Sequence, residues 1–546
     1  MSDPPYQMRR TCMAAALIAA LTLPQFLFGL GDRHIWIPLE ARYALVAREM
    51  LDARQWILPH LGGEVYADKP PLLFWSIAFI ASLGSGVTEW TARLPTALAA
   101  VGVCLVTWRI GVRLFSAPAG LMAALVLATS GGFFWSGRQA LPDMLLTLWT
   151  TWAFCALWEW FSDQRPQAAL VAGICMGLAT LTKGPVGVVL PALSGLMYLA
   201  VRCQLPKLWG RNALICLGAF LGVTLSWFVP AVARGGLEYV QTTLLHHSLE
   251  RYVRAWEHTS PWYFYLGAFP AEFLPWTLFL PQALLAGARM RQYQTQEGWW
   301  FAFCWLVTIL GFFSISTGKR DIYILPAFPA AALLVGWLWS LWWQRPRNAV
   351  SRWAISLPTL ILALTLCGLA LVIWGTVDGF LPRMSSLLLP ATREVGVWGS
   401  LLLLLGGTIL GSAVLAQRTR LIYAAIVGCA WLAMLMTTVW VYTPQFNQRY
   451  PIKSFSAAVH THIASDSLLQ LCGPMNDLAL RFSLGHFVPA LHQTPEVIRY
   501  LTGEGQVYCV IEADWYQRLG ELTGQRFPIM ARQEFYGSTL LLISNQ

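Results

Sequence analysis

The chain has 546 residues, 56% of them hydrophobic and only 12% charged, with 28 Trp, 27 Phe and 17 Tyr and a formal net charge of +10. Soluble domains carry roughly 25% charged residues, so half that value over so long a chain excludes an ordinary soluble protein. A basic excess suggests nucleic acid in a soluble protein, but here Lys and Arg cluster between apolar runs, the pattern that orients a chain in a bilayer.

Arg9 and Arg10 precede the first apolar run, 11–30. It exceeds the roughly 7–15 residues of a signal-peptide core and has no small-x-small site before Gly29, so it is read as an uncleaved first helix. IWIPLEARYALVAREML, 35–51, follows. It predicts an interfacial helix over 41–53, with Arg42 and Glu49 on one face and Tyr43, Val46, Ala47 and Met50 on another. Arg48, Glu49 and Asp52 are read as surface charges of that helix. KPPLLFWSIAFIASLG, 69–84, is too short to span and predicts a second interfacial helix, entered through Pro70 and Pro71.

Further spans are read over 93–114, 117–136, 142–161, 167–182, 184–201, 212–232, 263–286, 298–315, 322–343, 353–375, 396–416 and 421–441. The connections holding Arg109/Arg113, Arg165, Arg202/Lys207/Arg211, Arg289/Arg291, Arg345/Arg347/Arg352 and Arg418/Arg420 are short, basic and nearly free of acids, as cytoplasmic loops are. The alternate connections, 31–92 and 233–262, and everything after 442 then lie outside. After 442, LLQLCG, QVYCVIE and TLLLIS predict strands, alternating with helices near 452–464, 494–502 and 513–522. The expected fold is a polytopic α-helical membrane protein of about 13 transmembrane helices. Interfacial helices occupy its first external loop, and a small external α/β domain ends the chain. The domains are 1–442, which includes the loop 31–92, and 443–546. Cys472 and Cys509 either bridge in an oxidising compartment or remain strand-borne thiols. Cysteines inside the apolar runs read as small apolar residues, with no metal-type spacing.

Ionisable residues at membrane depth cost a few kcal/mol and so are functional candidates. Asp143 begins the fourth span, Lys183 lies between two spans, and Lys319, Arg320 and Tyr323 sit in STGKRDIYILP. Glu40, Arg42, Asp68 and Lys69 lie in the first external loop, and Arg251 and His258 in the second. All fall on one side of the membrane, which makes a single site. The bland readings are a helix cap for Asp143, a helix end for Lys183, an interfacial anchor for Lys319, and loop-surface positions for His246 and His247.

LEARYALVAREML, YADKPPLLFW, ARLPTALAA, LPDML, LTKGP, EHTSPWYFY and GKRDIYILP occur in that order over residues 30–330. Together they resemble the C-type-fold glycosyltransferases related to protein O-mannosyltransferases, most closely the lipid A aminoarabinose transferase branch. The resemblance implies a bacterial inner-membrane enzyme that moves a sugar from a polyprenyl (undecaprenyl) phosphate to a lipid A, lipopolysaccharide or other envelope acceptor on the periplasmic face. Protein O-glycosylation is the near alternative. The implied partners are the lipid-linked sugar, a lipid or glycolipid acceptor and membrane lipids, with no nucleic acid. Arg42, Lys69, Lys183, Arg251, Lys319 and Tyr323 suit the donor phosphate, and Asp143 or Glu40 suits a general base. Asp68 with His258 is a candidate ligand pair for a divalent cation. One departure is plain: the family usually has adjacent acids at the start of the first-loop helix, and here Leu39 stands beside Glu40. A transporter or lipid flippase is the reading from another class, but its charges belong near the bilayer midplane in repeated halves. Here they gather at external helix ends.

Overall fold

The computed structural model describes residues 4–84, 86–240, 259–289, 293–344, 353–377, 393–416, 418–436, 442–463, 468–503 and 505–546. The protein is mostly helical. Among the described residues five helices are long and apolar enough to cross a bilayer: Glu89–Leu114, Arg211–Gly236, Gln296–Ile315, Asp321–Trp343 and Ala354–Val372. Shorter apolar helices accompany them. The chain forms two compact units, one of Met1–Phe28, Ala67–Leu73 and Leu94–Thr438, the other of Gly29–Tyr66, Phe74–Arg93 and Val439–Gln546.

In the first unit, two stretches read as single spans are broken and a third starts as a tighter helix, each for a local reason. Residues 117–136 form two helices, Ala117–Ala128 and Gly131–Ser136, with Ser130 extended between them. At that break Thr129 Oγ1 accepts from the buried indole of Trp276 at 2.9 Å. Residues 263–286 become Phe264–Glu272, a 3₁₀ turn Trp276–Phe279 and Leu280–Ala288. Pro270, Pro275 and Pro281 each lack the N–H that a continuous helix needs. Residues 322–343 begin as the 3₁₀ turn Asp321–Ala327, which contains Pro326, and become α-helical at Phe328. Irregular backbone at membrane depth survives only where protein surrounds it, and Trp276, Phe279, Leu325 and Ala327 are all buried.

Small residues set the helix crossings. A Cβ on Gly111 would lie 2.6 Å from Gly120 Cα, and one on Gly336 would lie 2.4 Å from the Ala123 nitrogen. Lipid tails are as apolar as the helices, so such close backbone approach supplies packing that a hydrophobic drive cannot. Arg138 closes the end of the first helix. Its buried guanidinium donates to the carbonyls of Gln25, Phe26 and Phe28 at 3.0, 3.1 and 2.7 Å.

In the second unit, the helix Pro38–Asp52 buries Tyr43, Val46, Ala47 and Met50 along one face, the face read from the sequence. A two-stranded hairpin follows, β1 (His60–Leu61) against β2 (Glu64–Val65). The C-terminal residues build a five-stranded sheet ordered β4-β3-β5-β7-β6. Its strands are β3 (Leu468–Cys472), β4 (Ala490–Leu491), β5 (Val507–Glu512), β6 (Ile529–Phe535) and β7 (Ser538–Ser544). β3 runs parallel to β4 and β5, whereas β7 is antiparallel to β5 and β6. Val510 and Leu542 belong to one core with Ile452 and Phe455, while Cys509, Ile511, Leu541 and Ile543 belong to another with Val497 and Leu501. Both faces are covered, so these strands read as continuous apolar runs rather than alternating ones. Cys472 and Cys509, one on each of the parallel strands β3 and β5, are joined as a disulfide with Cα atoms 6.2 Å apart. Within the same unit, Trp36 stacks on Tyr450 and Phe535, with centroids 4.9 and 5.0 Å away.

Candidate active site

The strongest cluster lies where two antiparallel helices of the first unit meet. Pro142 begins the helix Pro142–Asp163, as its fixed φ favours. Leu141 holds the N-cap position without a side-chain hydrogen bond, so Asp143 is not a cap. It lies in the first turn, where the helix dipole favours an anion, and it is 5% exposed. The helix Pro166–Lys183 ends at Gly184, whose φ of 78° stops it without a Cβ penalty and leaves Lys183 in the last turn. Lys183 Nζ pairs with Asp143 Oδ1. The same ammonium sits 4.3 Å from the ring centre of Tyr323, close enough for a cation–π contact. Tyr323 is presented by the 3₁₀ turn Asp321–Ala327.

Lys319 is 5% exposed. Its ammonium donates to Ser260 O at 3.0 Å and to Ser316 O. Burial lowers its pKa from the ordinary lysine value. A cleft of about 530 Å³ beside it is lined by Ser260, Trp262, Ser314 and Thr317. Lys69 Nζ pairs with Asp68 Oδ1 at 2.8 Å, and both side chains are 15% exposed.

In the second unit, Glu40 is fully buried between two arginines. Arg33 reaches Oε2 at 2.7 Å, and Arg93 reaches Oε1 and Oε2 at 3.1 and 3.2 Å. Arg93 also donates to Leu30 O and Arg33 O at 3.0 and 2.7 Å. This carboxylate fastens the 30–40 segment to the residues that start the helix at Glu89. Arg42 is half-buried, and its Nε lacks a hydrogen-bond partner among the described residues.

Two of the residues read as surface charges are structural. Arg48 donates to Phe482 O and Val87 O, both at 3.1 Å, and stacks on the Phe482 ring. Glu49 accepts from Gly62 N at 2.7 Å and Gly63 N at 3.2 Å, which fixes the β1–β2 turn. Both carry internal bonds that a helix wheel cannot show. Asp52 is exposed, as read.

Arg251, His258, His246 and His247 lie outside the described residues. Among the described residues no three His, Cys, Asp or Glu side chains converge as a metal site. Asp68 holds the Lys69 ammonium at 2.8 Å, and its candidate cation partner His258 lies outside the described residues.

Residues 68–233 match the family model described as dolichyl-phosphate-mannose-protein mannosyltransferase. Over 334 residues the chain is 31% identical to a Pseudomonas aeruginosa protein named undecaprenyl phosphate-alpha-4-amino-4-deoxy-L-arabinose arabinosyl transferase, covering 60% of this chain and 59% of that protein. A protein of the same name from Edwardsiella ictaluri is 31% identical over 59% of this chain and 58% of its own length. The matched region thus spans about three fifths of these curated relatives. The crystal structure of ArnT from Cupriavidus metallidurans bound to undecaprenyl phosphate superposes with a TM-score of 0.76, over 97% of this chain and 98% of that one, at 21% identity.

The chain shares the fold of that ArnT structure.

Within this fold, Lys183 is brought into direct contact with Asp143 and Tyr323, whereas Lys319, Asp68 and Lys69 are held by other partners. Sequence reasoning missed Arg33, Arg93 and Arg138. Arg93 and Arg138 carried a signal, since each is a single charge embedded among apolar residues in ARLP and SGRQALP. A buried arginine in such a setting needs several acceptors, and the structure supplies them.

Proposed function

We propose that this protein is an inverting inner-membrane glycosyltransferase that moves a sugar from undecaprenyl phosphate to lipid A or another envelope acceptor on the periplasmic face. The Asp143–Lys183–Tyr323 cluster within a C-type glycosyltransferase fold is the observation that carries this reading. The names of the matched relatives suggest 4-amino-4-deoxy-L-arabinose as the sugar.

The chemistry follows from the hydrogen bonds. Lys183 engages one oxygen of Asp143. An incoming phosphate competes for that ammonium and leaves the oxygen free to accept a proton from an acceptor hydroxyl. As the acceptor oxygen bonds to the anomeric carbon and the sugar–phosphate bond breaks, charge develops on the leaving phosphate, where Lys183, Lys69 and Lys319 stabilise it. Arg251 is a further candidate for the donor phosphate and His258, with Asp68, for a divalent cation, though both Arg251 and His258 lie outside the described residues. Glu40 is assigned to structure rather than to proton transfer. About 13 spans with residues 443–546 as a periplasmic domain complete the proposal.

The deciding experiment incubates the purified protein with undecaprenyl phosphate-linked aminoarabinose and lipid A, and reads the product by mass spectrometry. Unmodified lipid A together with a glycosylated protein acceptor would favour O-glycosylation, and no transfer to either would sink the proposal. Removing one charge-assisted contact to phosphate costs on the order of 1.5–3 kcal/mol. Lys69→Ala and Lys183→Ala should therefore each cut turnover by about 10- to 150-fold, and near-normal rates in both would remove them from the site. Topology is tested by a reporter fused after residue 443. Activity only in the cytoplasm would overturn the span count.

A further inference from the structure

A second concave feature lies far from the candidate active site. Between the helices Pro142–Asp163 and Pro166–Lys183, beside the Arg109 end of the helix Glu89–Leu114, runs a groove of about 700 Å³. Its wall includes Trp152, Val171, Ile174 and Leu178, and its end carries Arg109, Glu159 and Arg165. Trp152 and Ile174 are 42% and 36% exposed, so the apolar wall opens sideways. From Trp149 to Glu159 the helix rises about 15 Å at 1.5 Å per residue. That is one leaflet, half of a hydrocarbon core roughly 30 Å thick.

Charge is arranged at one end only. Glu159 holds Arg109 at 3.0 Å and Arg113 at 3.6 Å, and Asp163 holds Arg165 at 3.3 Å. Three guanidiniums against two carboxylates leave one positive charge, and the arginine side chains are 45–61% exposed. Lys183 terminates the other end of the helix that follows Arg165, about 27 Å away along its axis. The groove's charged end and the candidate active site therefore belong to opposite leaflets.

We propose that this groove binds one anionic diacyl phospholipid, its phosphodiester on Arg109 and Arg165 and one acyl chain along Trp152, Ile174 and Leu178. A leaflet-long apolar trough ending in one uncompensated cationic charge matches an amphiphile with a single negative headgroup. Basic pockets between membrane helices recognise lipid headgroups by the same electrostatics. Assignment to the cytoplasmic leaflet rests on the topology proposed above, whereas the site itself does not.

The test uses the full chain in a mild detergent and native mass spectrometry, with phosphatidylglycerol and phosphatidylcholine of matched acyl chains as probes. Wild type should retain phosphatidylglycerol over phosphatidylcholine on the order of tenfold. The Arg109→Gln, Arg165→Gln double variant should bring that ratio to near one. Ile174→Trp should lower retention of both lipids by filling the trough without touching the charges, and it decides the matter if the double variant does not fold. Equal retention of the two lipids by wild type, or unchanged retention in Ile174→Trp, overturns the proposal. The measurement involves no turnover, so failure of the proposed glycosyltransferase activity leaves its result intact.

Discussion

Asp143→Asn is expected to cut sugar transfer by about 10²- to 10⁴-fold, the usual contribution of a positioned general base. The protein should still fold. Leu141, not Asp143, occupies the N-cap position, so no capping bond is lost. The amide oxygen remains an acceptor for Lys183, whose ammonium also keeps its contact with the Tyr323 ring. What disappears is the capacity to take a proton. The assay is sugar transfer per folded molecule, with a melting curve recorded on the same preparation. Wild-type turnover would show that Asp143 serves only to hold Lys183, and that the acceptor is already an anion or finds its base elsewhere.

Glu40→Gln should fail in the opposite way. The carboxylate is fully buried and is the shared counter-ion of Arg33 and Arg93. Neutralising it leaves two guanidiniums facing each other without an anion. Breaking a buried pair by removing one partner costs about 3–5 kcal/mol, a large share of the roughly 5–15 kcal/mol by which a protein is stable. The expected result is a much lower melting temperature and poor recovery, with near-normal transfer per molecule that remains folded. A variant with the wild-type melting curve and lost turnover would return Glu40 to the chemistry. Together the two variants separate a charge used in a reaction from a charge used in a fold.

Much of this arrangement was legible in the chain. Apolar runs near twenty residues marked this as a membrane chain, because a bilayer core of fixed thickness imposes a length that composition alone reveals, and five of the described helices have that length and apolarity. The helix Pro38–Asp52 was recognisable from a face of Tyr43, Val46, Ala47 and Met50, and the strands β3, β5 and β7 from their β-branched and aliphatic runs. The short strand β4 and the mostly polar strand β6, IMARQEF, gave no comparable pattern. Asp143, Lys183 and Tyr323 stood out because a charge or phenol at the mouth of an apolar segment has a cost that invites explanation.

By itself, then, the sequence determined that this is a membrane-embedded helical chain with its candidate chemistry at helix ends, because solvation penalties act on each residue locally. Only the tertiary structure decided which charges meet. Asp143 finds Lys183 across 40 positions and Glu40 finds Arg93 across 53, and nothing in either neighbourhood of the chain specifies the partner. It likewise decided that Arg48 and Glu49 bond to backbone distant in the chain, and that proline-rich segments such as 263–286 break where surrounding protein makes their backbone tolerable. A carboxylate's role as base or as counter-ion depends on what surrounds it in space. Glu40 and Asp143 look alike in the chain and differ only there.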